Sequence, residues 1–383
     1  MFFLNREIQK DIKAKTAIKV KTDKTDINKN PIIPNIIMRK IFSMIAIMAL
    51  SATMAMAQKE AEVTYFLPKT AVQIALRIEK TTFTPGMLAT YSDIYFKTPA
   101  ATQPSTSYRI VGIDFYPTAV PDSAKQFTLS IGKKHSIVNV DCDKNGVLMA
   151  INAKPIKADE VKPFVAAPKA APLNPQDFMS QDILSSGNYS TMARMVAQEI
   201  YDIRDSRNQL ARGEADFMPK DGEQLRIMLA QLSTQEKALM QVFTGTTVKD
   251  TVQQVVTVVP EQGQAKIMAF RFSNHFGLTT NDDLSGTPVY MKVEDEHVMA
   301  ELDVDANAKK QKADLLIGVS LPGKVRLTLE KDGKALAHYS TWAAQFGRTE
   351  LLTEALFGKK FTSHLVLHPY TGTVVSLKTE PLD

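Results

Sequence analysis

The stretch TAVQIALRIEKTTF, residues 70–83, alternates aliphatic and polar side chains along its length. One face carries Val72, Ile74, Leu76 and Ile78, and the other carries Gln73, Arg77 and Glu79. Period-two alternation predicts a strand with one buried face. Similar stretches and one short helix over 87–96 surround it, so we predict a β-rich domain over 58–152. The run Asp143-Lys144-Asn145-Gly146 predicts a hairpin turn, because Asn-Gly accommodates positive φ angles at low cost.

Residues 153–180 change the composition, with five prolines and six alanines in 28 residues. This composition does not sustain a helix or a central strand. It predicts either an extended linker or a strap along the surface. We place a domain boundary here.

Residues 181–243 show apolar side chains at three- and four-residue steps, which predicts a helical hairpin. The first apolar stripe comprises Met192, Met195, Val196, Ile200, Ile203 and Leu210, and the second comprises Leu225, Met228, Leu229, Leu232, Leu239 and Phe243. Asp221 followed by Gln224 resembles a capping box at the start of the second helix. Ser233 followed by Glu236 has the same form and allows a break near residue 233.

The segment 244–383 returns to strand patterns with turn residues between them. TVQQVVTVVP (251–260) and AKIMAFRFS (265–273) flank Glu261-Gln262-Gly263-Gln264, which predicts a hairpin. We expect an antiparallel, β-sandwich-like domain here. The predicted fold class is therefore α+β: a β-rich N-terminal domain, a Pro/Ala linker, a helical hairpin and a second β domain.

Residues 38–57 have the form of a secretory signal peptide. Met38 opens MRKIFSMIAIMALSATMAMAQ, with a basic start, an apolar run and a closing Ala55-Met56-Ala57. The run is shorter than the roughly 20 residues that span a bilayer. We predict export, cleavage after Ala57, a periplasmic or envelope-associated location, and no transmembrane segment in the mature chain. Residues 1–37 are then a disordered tail or an upstream extension of a protein that starts at Met38.

The positive charge of the chain is concentrated before the predicted cleavage site. Residues 1–57 hold ten of the 46 Lys and Arg and four of the 41 Asp and Glu, so the remainder holds 36 and 37. The formal charge falls from +5 to −1. The remainder has no basic stripe interleaved with aromatic residues, so we expect no nucleic-acid partner.

Cys142 is the single cysteine, which excludes an internal disulfide framework. It lies between Asp141 and Asp143, whose charges would raise the pKa of the thiol and disfavour a catalytic role. His364 and His368, four residues apart, lie about 13 Å apart if they occupy a strand, which is too far for one metal. The motifs of nucleotide-binding loops and of hydrolase nucleophiles are missing, so we predict no metal and no cofactor.

The stretch EIYDIRDSRNQLARGEADFMPKDGEQL, residues 199–225, is dense in charge. Alternating acids and bases favour a solvated helix surface followed by a structured loop. We predict that the loop 212–222 contacts an envelope protein or glycan, and its candidate binding residues are Arg212, Phe217, Met218 and Lys220. Its alternative role is hydrolysis of envelope glycans, with Glu214, Asp216 and Asp221 as candidate carboxylates. A catalytic pair would be about 5 Å apart for retention or roughly 6.5–9.5 Å for inversion, and both would line one cleft.

Trp342 lies near Tyr339 and Phe346 in a predicted strand region. Such a residue can form a stacking platform for sugars, but a single tryptophan among strands is more often part of the core. We therefore expect Trp342 to be buried.

Three long blocks carry a resemblance to a known family. YFLPKTAVQIALRIEKTTFTPGMLATYSDIYF (65–96), AQEIYDIRDSRNQLARGEADFMPKDGEQLRIML (197–229) and FRFSNHFGLTTNDDLSGTPVY (270–290) resemble recurring blocks of an exported Bacteroidales family, domain of unknown function 4831. The resemblance runs from about Val63 to the C-terminal strand. It implies a signal-bearing envelope protein and supplies no catalytic residue. The sequence thus favours an uncharacterised, non-enzymatic binding or scaffold protein.

Overall fold

The structure is a computed structural model, and it describes residues 61–131, 136–301, 316–358 and 360–381. The predicted leader 1–37 and signal peptide 38–57 lie outside the described residues. The strands are β1 (Ala61–Thr84), β2 (Ser105–Ile131), β3 (Val140–Cys142), β4 (Leu148–Ile151), β5 (Thr246–Val258), β6 (Lys266–Ser273), β7 (Gly277–Thr279), β8 (Thr287–Met299), β9 (Leu316–Lys331), β10 (Lys334–Thr353), β11 (Phe361–Leu367) and β12 (Val374–Pro381). The α-helices are α1 (Ser92–Phe96), α2 (Gln181–Leu184), α3 (Tyr189–Arg212) and α4 (Gly222–Thr244), with 3-10 turns at Ala89–Tyr91, Pro175–Phe178 and Glu354–Phe357.

The alternating stretch 70–83 lies in β1, the central strand of a three-stranded antiparallel sheet with the order β2-β1-β5. Its aliphatic face is buried from Val72 to Ile78, as the alternation predicts. β2 is continuous over 27 residues. Pro117 and Pro121 lie within β2, and its position at a sheet edge tolerates residues that cannot donate a backbone hydrogen bond on the open side.

A five-stranded sheet with the order β10-β9-β8-β6-β7 packs its inner face on the three-stranded sheet. Ile74 and Leu76 of β1 share a core with Met291 of β8 and Leu327 of β9. The turn Asp332-Gly333 between β9 and β10 has φ angles of 51° and 75°, a conformation that Asp-Gly adopts readily.

A four-stranded sheet with the order β12-β11-β4-β3 covers a second core. Tyr65 of β1 is buried in it, stacks on Phe127 at 5.6 Å between ring centroids, and accepts a 2.8 Å hydrogen bond from the Gly318 amide at its hydroxyl. The predicted hairpin turn at 143–146 is confirmed, because β3 and β4 pair and Gly146 has φ +81°.

The structure differs from the predicted division into two β domains. β5 pairs with β1 over 13 residues, β11 pairs with β4, and the residues from Glu60 onward form one compact unit. The sandwich-like packing therefore joins strands from both predicted domains. The alternation in each strand specifies a buried face but not the partner strand, which is why the sequence did not show this arrangement.

The predicted hairpin between β5 and β6 is wrong. A turn is present, since the Gln264 amide donates to the Glu261 carbonyl at 3.2 Å, but β5 pairs with β1 while β6 pairs with β7 and β8. The turn moves the chain from one sheet to the other.

The Pro/Ala-rich segment is a strap rather than a free linker. Residues 153–174 contain no helix or strand, and they contact β5 at several points. The Phe164 amide donates to Gln253 Oε1 at 2.6 Å, Gln253 Nε2 donates to the Lys162 carbonyl at 3.1 Å, and Lys169 pairs with Asp250. The strap runs from β4 towards the helices.

Candidate functional site

The predicted helical hairpin is present as α3 and α4, which pack against each other around a third core. Val196 and Ile200 of α3 and Leu239 and Phe243 of α4 are buried there. Thr191 donates its amide to the Asn188 side chain at 2.8 Å, and this contact caps α3 at its start. Gly213, with φ +75°, ends α3 in the left-handed conformation.

Charged residues fix the two helices halfway along the hairpin. Arg204 Nε donates to Glu236 Oε1 at 2.7 Å, and Arg207 Nη1 donates to Glu236 Oε2 at 2.5 Å. The guanidinium of Arg204 also lies 5.5 Å from the ring centroid of Phe96. Glu236 therefore braces α3 against α4. The break suggested near residue 233 is wrong, because α4 continues through it.

The base of the hairpin is joined closely to the three-stranded sheet. Phe96 meets Phe243 edge to face with 5.0 Å between ring centroids, and Leu88 donates its amide to the Val242 carbonyl at 2.7 Å. Gly245 turns the chain from α4 into β5 with φ +78°, where a Cβ atom would lie 2.4 Å from the Thr84 carbonyl oxygen. These contacts hold one end of the hairpin rigidly.

The tip of the hairpin, residues 212–222, carries the candidate binding residues. Phe217 is 90 % exposed and Met218 is 39 % exposed, while Arg212 and Lys220 are exposed as well. On α4, Ile227 and Met228 are 45 % and 39 % exposed, so the apolar surface continues beyond the loop. The apolar side chains of the two helices are therefore buried against each other near the base of the hairpin and exposed to solvent near its tip.

The tip also carries the candidate carboxylates. Glu214, Asp216 and Asp221 are all exposed. Glu214 lies 3.9 Å from Arg212, and Asp221 accepts the Glu223 amide at 3.3 Å as the N-cap of α4. Solvated carboxylates that form a cap and a surface ion pair do not have the dry environment that general acid catalysis requires. The capping role of Asp221 was predicted and is confirmed.

A second surface with functional potential is the outer face of the five-stranded sheet, which was not predicted from the sequence. It forms a depression of about 590 Å3 lined by Lys292, Glu294, Arg326, Thr328, Glu330, His338, Tyr339 and Ser340. Acids and bases alternate across it, with Lys292 Nζ 2.6 Å from Glu294 and Arg326 3.0 Å from Glu296. The alternation of VRLTLE in β9 (325–330) contains the signal for this face.

Trp342 lies beside this depression. It follows His338 and Ser340 at two-residue steps on β10, so all three project from the outer face. Its side chain is 37 % exposed, and the expectation of a core tryptophan is wrong. The small Ala343 beside it is buried on the inner face instead.

The remaining titratable candidates are His364, His368 and Cys142. His364 Nδ1 lies 2.5 Å from the Asn152 carbonyl, while His368 meets the Tyr370 ring edge to face at 4.2 Å. Burial is the main cause that raises the pKa of the Cys142 thiol, and Asp143 and Asp141 raise this pKa further. In the described part of the chain, no group of three or more His, Cys, Asp or Glu side chains could hold a metal ion.

Comparisons with known proteins identify the family. The model of a family described as a domain of unknown function, DUF4831, matches residues 61–375, so the chain belongs to that family. No curated protein and no solved structure matches the chain. Among the described helices, none combines the length and the apolar character needed to cross a membrane.

Proposed function

We propose that this member of the DUF4831 family is a non-enzymatic binding or scaffold protein of the cell envelope, and that the hairpin tip contacts a protein partner. One observation carries the proposal: Phe217 is 90 % exposed at the end of a hairpin that is braced at its middle and fixed at its base. An aromatic side chain on a rigid support loses little conformational freedom when it binds, and such residues often dominate the energy of an interface.

The residues around Phe217 suit a protein surface. Met218, Ile227 and Met228 add apolar area, and Arg212 and Lys220 place cations at the border. Interfaces commonly combine an apolar centre with a polar rim and are enriched in Phe, Met and Arg. The same tip also exposes Glu214, Asp216 and Asp221, so the partner offers an apolar pocket with polar groups of both signs nearby.

The envelope location rests on the signal-like segment 38–57. Export would be followed by cleavage after Ala57, and the mature chain would begin at Gln58. Cell fractionation and N-terminal sequencing of the recovered protein test this directly. Recovery of the protein in the cytoplasmic fraction, with Met1 or Met38 as its N-terminal residue, would contradict export.

A glycan partner is a second candidate, and the exposed Trp342 favours it. An indole ring beside a depression rich in hydrogen-bonding side chains can stack on the apolar face of a sugar while those side chains bind its hydroxyl groups. Affinity electrophoresis in gels that contain envelope polysaccharides tests this candidate. Retardation of the natural chain that disappears in Trp342→Ala supports glycan binding, and equal migration of both proteins contradicts it.

The hydrolase alternative receives less support from the geometry. It requires carboxylates that line one cleft, but Glu214, Asp216 and Asp221 are exposed on the tip and Asp221 is a helix cap. The same exposure suits a surface that meets a partner.

The partner proposal is tested by recovering envelope proteins on the tagged natural chain, on Phe217→Ser and on Phe276→Ser. Phe276 is 67 % exposed in the turn after β6 and is the matched control. We expect Phe217→Ser to reduce recovery of a specific protein about tenfold or more, since a central aromatic residue contributes about 2 kcal/mol or more. Phe276→Ser should leave recovery unchanged. A recovered set that is the same for all three proteins would overturn the proposal.

A further inference from the structure

A groove of about 440 Å3 opens between β2 and the start of β10. Its volume lies within the roughly 300–1,000 Å3 of small-molecule sites. β2 and β10 are edge strands of their respective sheets, and the groove lies between them. Its lining residues include Val111, Phe272, Lys331 and Leu336.

Two β-bulges direct aliphatic side chains to this groove. In β2 the register passes from Ile110 opposite Ile78 to Gly112 opposite Arg77, so Val111 is the extra residue. In β10 the register passes from Ala335 to Ala337 opposite consecutive residues of β9, so Leu336 is the extra residue. Val111 is 44 % exposed and Leu336 is 41 % exposed. Bulges re-aim side chains and occur preferentially beside functional sites.

The lining of the groove is apolar where it joins the core. Phe272 belongs to the core between the two larger sheets, and Ile110 and Ile113 pack against that core. All three also line the groove. A ligand here would therefore meet a continuous apolar surface, with Val111 and Leu336 contributed by the two strand edges.

The charges at the groove are unequal. Arg109 Nε donates to Glu79 Oε1 at 2.8 Å, and this contact is the main cause that lowers the pKa of Glu79. Lys331 Nζ lies 5.3 Å from the ring centroid of Phe272, and among the described residues no carboxylate lies within 4 Å of it. Arg109 is thus held by Glu79, whereas the Lys331 ammonium is available to an anionic group of a ligand.

We propose that this groove binds a single amphiphile with an aliphatic body and one carboxylate head. The aliphatic body lies between Val111 and Leu336 on the surface of Phe272, and the carboxylate pairs with the Lys331 ammonium. The Lys331 ammonium selects an anionic head, and the two apolar residues exposed at the strand edges select an unbranched or flat apolar body.

The experiment measures binding by isothermal titration calorimetry on the full chain, with laurate as the probe at monomeric concentrations. Dodecyltrimethylammonium has the same aliphatic body with a cationic head and serves as the ligand control. We expect saturable binding of one laurate per chain and binding of the cation at least about tenfold weaker, which corresponds to about 1.4 kcal/mol. Equal binding of both ligands, or no binding of laurate, would overturn the proposal.

Three variants locate the site. Lys331→Gln and Leu336→Asp should each weaken laurate binding about tenfold. Val375→Asp, at a 50 % exposed position on β12, should leave it within about twofold. Laurate binding that is equal in all four proteins would place it elsewhere and contradict the proposal. If a groove variant fails to fold, the comparison of laurate with dodecyltrimethylammonium on the natural chain still tests the proposal.

A last arm distinguishes a free amphiphile from a membrane surface. Sedimentation with phosphatidylglycerol vesicles should recover no more natural chain than Leu336→Asp. Vesicle binding without laurate binding would assign the groove to a lipid surface and overturn the proposal of a single-molecule site.

Discussion

Arg204 of α3 and Glu236 of α4 are joined by a hydrogen bond of 2.7 Å between Nε and Oε1, and Arg207 occupies the second carboxylate oxygen of Glu236. The side chain of Glu236 is only 14 % exposed, so this contact is better shielded from solvent than an ordinary surface ion pair. It links the two helices at mid-length and supports the unpacked tip beyond it.

Replacing Glu236 should loosen the hairpin. Glu236→Ala leaves two arginines without their partner, and we expect a loss of about 1.5–3 kcal/mol in the free energy of unfolding, as for hydrogen bonds to charged groups. Gln235→Ala, one residue away on the exposed side of α4, should change it by less than about 0.5 kcal/mol. Urea denaturation followed by circular dichroism measures both. Equal effects would show that the brace contributes nothing specific.

Phe217 should be dispensable for folding. Its side chain is 90 % exposed, so Phe217→Ser should change the free energy of unfolding by less than about 0.5 kcal/mol. Phe243→Ala removes a fully buried ring from the base of the same hairpin and should cost about 3–5 kcal/mol. Thermal unfolding of the two variants checks this contrast. A large loss in Phe217→Ser would mean that the ring packs on the fold rather than facing a partner.

Alanine substitutions at two glycines with positive φ distinguish the cost of backbone strain from the cost of a steric clash. Gly213 has φ +75° in open space, so Gly213→Ala should cost only about 1–2 kcal/mol from the left-handed conformation. Gly245 has φ +78°, and the Cβ atom of an alanine at this position would lie 2.4 Å from the Thr84 carbonyl oxygen. Gly245→Ala should therefore cost clearly more. Chemical denaturation measures the free energy of unfolding of both variants. Similar losses of stability in the two variants would contradict the close contact between the end of α4 and β1.

His368 should make stability depend on pH. Burial lowers its pKa in the folded chain, and the charge of Asp159 only partly opposes this. The unfolded chain therefore binds the proton more readily, so the contribution is complete above about pH 6.5 and is lost as the pH falls. The free energy of unfolding, measured between pH 7 and pH 5, should fall more steeply for the natural chain than for His368→Gln. Parallel curves would contradict this effect.

Features encoded within a few residues were predictable. The alternation of Val72 to Ile78, the Asn-Gly turn before β4 and the Asp221 cap all appear as expected, because local geometry fixes them. The pairing of β1 with β5 was not predictable, because the two strands are far apart in sequence. The alternation of apolar and polar residues specifies the buried face of a strand but not the strand it pairs with. The exposure of Trp342 depends on which face of β10 the neighbouring sheet covers.

The candidate tip was found from its sequence because Phe217 and Met218 interrupt a charged stretch. The groove was not, because Val111 and Leu336 lie within ordinary strand patterns. Only the register of each strand against its neighbour shows that they are bulged residues.

The most direct test of the account places a photo-crosslinking amino acid at position 217 of the full chain in intact cells, with the same residue at position 276 as the control. If the hairpin tip is a recognition surface, position 217 gives one crosslinked product of defined mass and position 276 gives none of that mass. No product at 217, or the same products from both positions, would contradict the claim that the hairpin tip is a recognition surface.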